Sequence, residues 1–167
     1  FMDDTTSSFI GRWNIPIKHS CTLGELALYF NSTKNIGANI TIVPVKNWER
    51  NLFVTDFSAK KIYRINIATQ AFYVFAQSLT QSPNGIIYDA PSNSLVFVSW
   101  SSSAKIKRCS LADSSVITIL TTSYTNIDGI ARKANGDFYI STWGTNSVYK
   151  YNNDFTATPT LIVSGLS

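Results

Sequence analysis

One strand pattern recurs three times between Asn51 and Val163, and few folds can absorb such a repeat. The first copy runs Leu52-Phe53-Val54-Thr55-Asp56-Phe57, then Lys61-Ile62-Tyr63-Arg64-Ile65, then Ala71-Phe72-Tyr73-Val74-Phe75-Ala76. The second runs Leu95-Val96-Phe97-Val98-Ser99-Trp100, then Lys105-Ile106-Lys107-Arg108-Cys109, then Val116-Ile117-Thr118-Ile119-Leu120. The third runs Phe138-Tyr139-Ile140-Ser141-Thr142-Trp143, then Ser147-Val148-Tyr149-Lys150-Tyr151, then Thr160-Leu161-Ile162-Val163. Anchored on Ile62, Ile106 and Val148, the period is about 43 residues. Several short strands per unit at such a period is the pattern of propeller blades. The expected fold is all-β: a β-propeller or partial propeller built of four-stranded antiparallel blades.

Each unit supplies an innermost strand that starts at a glycine, Gly85-Ile86-Ile87-Tyr88 and Gly129-Ile130-Ala131-Arg132. Ala90-Pro91-Ser92-Asn93 and Asn135-Gly136 then read as turns, and Asn-Gly suits the left-handed hairpin turn that matches strand twist. Blades are expected over about 39–80, 81–124 and 125–167, with residues 1–38 forming irregular strands or an arm. The second strand ends each time in a large ring, Phe57, Trp100 or Trp143. The expected role of these rings is packing between blades, with a ligand platform at Trp100 and Trp143 as the alternative. Closed propellers have four to eight blades, so three clear ones imply a compact four-bladed ring, a piece of a longer chain, or closure by self-assembly. Beginning at Phe1 rather than Met, the chain reads as a processed or partial product.

Composition narrows the partners. Charged residues make up 14% of the chain, with a net charge of +4, and Ser, Thr and Asn take the surface positions instead. The basic residues are scattered along alternating strands without a run of five, so they read as water-facing positions and no nucleic-acid partner is expected. No stretch of 18 apolar residues occurs, so no membrane-spanning helix is expected. Two sequons, at Asn31 and Asn39, make these asparagines glycosylation candidates and favour a secreted, extracellular protein. Cys21 and Cys109 are the two cysteines; they either form a disulfide outside the cell or leave Cys109 as a buried thiol on an apolar strand site. His19 is the single histidine and no CxxC pair occurs, so neither a zinc site nor a Ser-His-Asp set is expected.

Ser82-Pro83-Asn84-Gly85-Ile86 and the run from Asp128-Gly129-Ile130-Ala131 to Asn135-Gly136-Asp137-Phe138-Tyr139-Ile140-Ser141-Thr142-Trp143 resemble the gluconolactonase and regucalcin-like propellers and the NHL repeats. The resemblance covers roughly residues 40 to 167. It implies a divalent cation such as calcium in the central channel, with Asn84 and Asp128 matching two of the family's ligands. The acidic ligand expected from the first blade is missing: Ile42 stands there, and Glu25 lies outside the motif. Without the metal, Asn84 and Asp128 are short polar caps at tight strand entries.

The function expected is a non-catalytic secreted propeller module, binding an extracellular protein or glycan or assembling with itself, with no cofactor. The alternative is a metal-dependent lactone or ester hydrolase using Asn84 and Asp128.

Overall fold

The computed structural model describes residues 38–44, 50–66 and 71–166. Within them, twelve strands form three four-stranded antiparallel sheets. The first sheet holds β1 (Ala38–Pro44), β2 (Arg50–Asp56), β3 (Lys61–Asn66) and β4 (Phe72–Ala76). The second holds β5 (Ser82–Asp89), β6 (Ser94–Trp100), β7 (Lys105–Ser110) and β8 (Val116–Thr121). The third holds β9 (Ile127–Arg132), β10 (Phe138–Thr142), β11 (Ser147–Tyr151) and β12 (Thr160–Val163). Strand order within each sheet follows the chain, and neighbouring sheets meet along their inner strands β1, β5 and β9. This is the all-β propeller architecture, seen here as three consecutive blades. The expected arm at 1–38 lies outside the described residues, except for Ala38 at the start of β1.

The repeat extends to irregularities. Ile62 pairs with Ala76, Ile106 with Leu120 and Val148 with Val163, and in each blade the register shifts at the very next residue. The extra residue is Phe75, Ile119 or Ile162. Such bulges increase strand twist, which a blade needs towards its outer edge.

Strand alternation sends one set of apolar residues forward to the next blade and the other set back. At the first joint, Phe53, Ile62 and Ala76 meet Ile86, Leu95, Phe97 and Cys109. At the second joint, Val96, Val98 and Ile106 meet Ile127, Phe138, Ile140 and Tyr151, with Phe155 folded beneath the rings of Phe138 and Tyr151. An ion pair, Arg132 Nε to Asp89 Oδ1 at 3.3 Å, spans the same joint, and the guanidinium also lies over Phe138.

Two local expectations change. The inner strands begin before their glycines, at Ser82 and Ile127. The hairpin at Asn135-Gly136 forms, but not as a two-residue left-handed turn. Gly136 alone has positive φ (99°), its N–H donates to Lys133 O, and Lys133 N–H donates to Asp137 O. That is a three-residue loop closed by a glycine bulge. Asn135 instead uses its side chain, accepting from Asp137 N and donating to the Asp137 carboxylate. The Ala90–Ser92 turn is a single 3-10 turn ended by Asn93 at φ 45°.

At Gly85 the backbones of two blades come close together. A Cβ there would stand 2.6 Å from Asp128 O and 2.9 Å from Ile130 N, both backbone atoms. At the equivalent Gly129 it would meet only the Ser141 hydroxyl, at 2.9 Å. Gly85→Ala is therefore expected to cost about 1–3 kcal/mol and Gly129→Ala distinctly less. Equal losses in thermal unfolding followed by circular dichroism would contradict this close approach.

Candidate functional site

Asn84 and Asp128 sit one blade apart on β5 and β9, and the fold brings them into contact. Asn84 Nδ2 donates to Asp128 Oδ1 at 2.7 Å and reaches Ile127 O at 3.5 Å. Asn84 O accepts from the Thr55 hydroxyl at 2.9 Å, so one residue ties all three blades near the axis. Its buried backbone and amide are thereby satisfied. Thr55, Asn84 and Asp128 are thus brought together, and an oxygen of Asp128 is already used as a hydrogen-bond acceptor. Among the described residues no group of three His, Cys, Asp or Glu side chains is placed to hold a metal ion. Ile42 lies on β1, paired with Leu52. Glu25 lies outside the described residues.

The rings at the ends of β2, β6 and β10 form a continuous row. Phe57 and Trp100 centroids are 6.1 Å apart and nearly edge-on, and Trp100 and Trp143 are 5.8 Å apart. These distances are those of attractive ring pairs. Just inside each ring, a short polar residue caps the following turn. Asp56 accepts from Ala59 N, Ser99 accepts from Lys105 N, and Thr142 bonds Thr145. Trp143 ends the row and is 64% exposed. Beside it a pocket of about 290 Å³ is lined by Asp128, Ser141, Thr142, Trp143, Asn146, Ser147 and Leu166. It therefore joins the Asp128 and Trp143 candidates in one place, while Trp100 stays inside the row.

The forward face of the third blade remains exposed. Val163 is 40% exposed where its equivalent Ala76 is 6%, and Leu166 is 45% exposed where Leu79 is 7%. Leu161 and Ile162 are exposed as well. Leu166 N still donates to Asn146 O as Leu79 N does to Lys60 O, so the backbone repeats and only the cover differs.

A second opening lies at the outer rim of the first joint. It is a groove of about 590 Å³ between β4, residues 77–80, Lys107 and β8. Lys107 was expected to face water; instead it is 5% exposed, and its ammonium donates to Thr80 Oγ1 at 3.2 Å. Burial, and after it the charge of Lys105, holds its pKa below the usual lysine range. The signal in the sequence is a break in the repeat: Tyr63 and Tyr149 occupy the matching positions.

Of the remaining candidates, Asn39 lies on the inner strand β1, paired with Thr55. Asn31 and Cys21 lie outside the described residues. Cys109 is a free, buried thiol whose Sγ contacts Ser114 O at 3.5 Å. Burial first, and the Asp113 carboxylate second, push it up to about 12 from its ordinary 9.0. A raised folded-state pKa stabilises the fold below the unfolded thiol's pKa. That contribution is lost as pH rises from 9.0 towards about 12. Alkylation of Cys109 by iodoacetamide at pH 8 should accordingly be at least ~100-fold slower folded than unfolded. Comparable rates by mass spectrometry would contradict its burial.

Known proteins resemble the two ends of the chain differently. Residues 1–64 match the N-terminal family model of exo-β-N-acetylmuramidase NamZ. Over 50 residues the chain is 44% identical to the peptidoglycan β-N-acetylmuramidase NamZ of Bacillus subtilis (strain 168), which is 30% of this chain and 12% of that protein. The blades resemble solved propellers. A chain of a nidogen–laminin complex aligns with TM-score 0.64 and 16% identity over 75% of this chain and 47% of that one. Virginiamycin B lyase from Staphylococcus aureus aligns with TM-score 0.57 and 22% identity, over 74% of this chain and 40% of the lyase. A protein assigned to the gluconolactonases aligns with TM-score 0.55 and 16% identity, over 68% and 45%. The chain thus spans less than half of each of these solved chains and a small part of the NamZ protein. At these identities the solved structures establish the β-propeller fold. No helix among the described residues is long and apolar enough to cross a membrane.

Proposed function

We propose that this chain is a non-catalytic, secreted propeller module that works by association, through the forward face of its third blade. The observation that carries this reading is the exposure of Val163 and Leu166, whose counterparts Ala76 and Leu79 are buried, beside the exposed Trp143. Apolar surface of this kind, along the outer edge strand β12, favours another β-sheet face or a second copy of the chain. An extracellular glycan is the second partner class, taken by the pocket that pairs Trp143 with Asp128 and Asn146. The likeness of residues 1–64 to a peptidoglycan-acting enzyme makes cell-wall sugars the first glycans to test.

Sedimentation velocity over a range of concentrations tests the association. The wild-type chain is expected to form larger species that Val163→Lys reduces at least ~10-fold in affinity. Concentration-independent monomers in both would sink the reading.

A divalent-metal lactonase is the alternative, favoured by the convergence of Asn84 and Asp128 at 2.7 Å on two inner strands. With the Asn84 amide turned to present its oxygen beside Asp128, the pair would offer a hard cation oxygen ligands with which to polarise a lactone carbonyl. This reading predicts a rise in melting temperature with calcium that Asp128→Ala abolishes. No shift with calcium or manganese would remove it.

A further inference from the structure

We propose that the groove at the outer rim of the first joint binds a carboxylate-bearing ligand, with Lys107 as its counter-ion and the Thr80, Ser114 and Thr118 side chains around it. The inference does not depend on the proposed association face, which lies on another blade.

The groove exists because the two joints are filled differently at one pair of repeat positions. At the second joint the pair is Tyr124 and Tyr149, and their rings stack with centroids 4.3 Å apart. At the first joint the matching pair is Thr80 and Lys107, which meet through one hydrogen bond of 3.2 Å. Two stacked rings fill the space between diverging outer strands, whereas a hydroxyl and a slender ammonium chain leave about 590 Å³ open. The fold tolerates either filling, so the blade geometry does not demand a lysine here.

The lysine itself is under-satisfied. An ammonium has three donors, and among the described residues the Thr80 hydroxyl is the one group that accepts from Lys107. No carboxylate among them stands within ion-pair distance of it. Buried cations are ordinarily paired, because an unpaired one loses its hydration without return. An anion in the groove would complete the ammonium's hydrogen bonds and neutralise it. One buried ammonium with neutral hydroxyls around it matches a single negative charge better than a phosphate dianion. Val74, Phe75 and Val116 give the groove an apolar wall for the body of the ligand.

Acetate, lactate and N-acetylmuramic acid serve as carboxylate probes, N-acetylglucosamine as the neutral counterpart that lacks the lactyl carboxylate, and inorganic phosphate as the competing anion. Titrations followed by amide resonances should show at least one carboxylate perturbing Thr80, Val116 and Thr118, with N-acetylglucosamine silent there. Lys107→Met should weaken that binding at least ~10-fold while the melting temperature stays level or rises. The double variant Thr80→Tyr with Lys107→Tyr, which restores the pair of the second joint, should remain folded and lose the binding altogether. Three results would overturn the proposal: no carboxylate perturbing these residues, phosphate binding in preference to all of them, or unchanged binding after Lys107→Met. A purely structural lysine would show itself by a fall in melting temperature on Lys107→Met with no carboxylate response in the wild type.

Discussion

The approach of β5 to β9 at Gly85 sets the geometry of everything around it. With backbone atoms of Asp128 and Ile130 where a Cβ would project, the inner strands of consecutive blades lie almost in contact. Blades that touch on the inside must diverge on the outside, because each sheet twists and bulges at its outer hairpin. The inner part of a joint can therefore be sealed by small groups, such as the Thr55 hydroxyl on Asn84 O or the Asn84 amide on Asp128. The outer part needs volume. Rings supply it at the second joint, and their replacement leaves the first joint open.

The same geometry explains the aromatic row. Phe57, Trp100 and Trp143 stand at the end of each second strand, where the blade spacing fits an edge-on ring contact. Each ring is stabilised by the one that follows it, so the row is self-supporting except at its last member. Trp143 therefore carries apolar area that its two predecessors shed into the next blade. Propeller blades resemble other repeat units in this respect: one unit's surface is its neighbour's core.

Much of the fold was legible because the repeat is expressed in strand-forming residues with punctual turns. Ile62, Ile106 and Val148 anchor three equivalent strands, and the structure keeps them equivalent down to the bulge after each. Turn type was less legible, since Asn135-Gly136 is compatible with both a two-residue turn and a three-residue loop, and the pairing of Lys133 with Asp137 decides between them. Asn84 and Asp128 hold equal places in successive units, but their hydrogen bond is seen only once the inner strands are placed side by side. The burial of Lys107 did not follow from its pattern. Lys105-Ile106-Lys107 by itself reads as an alternating exposed strand; the tyrosines at the matching positions of the other two units are the hint, and the joint turns the second lysine to a neighbouring blade rather than water.

Lys107 also shows how a repeat separates what the fold requires from what it merely permits. Where three units share a position and the architecture holds with tyrosine at two of them, the third residue is not dictated by packing. A phenol at that depth keeps much of its area in van der Waals contact and ionises reluctantly, as burial raises Tyr63 above its ordinary value. An ammonium there gives up hydration and gains one hydroxyl bond in exchange. The first joint is thus less well filled and less well balanced in charge than the second, although both are built from the same strands. Imbalance of that kind inside an otherwise self-consistent repeat is where a binding function can be accommodated without disturbing the blades that carry it.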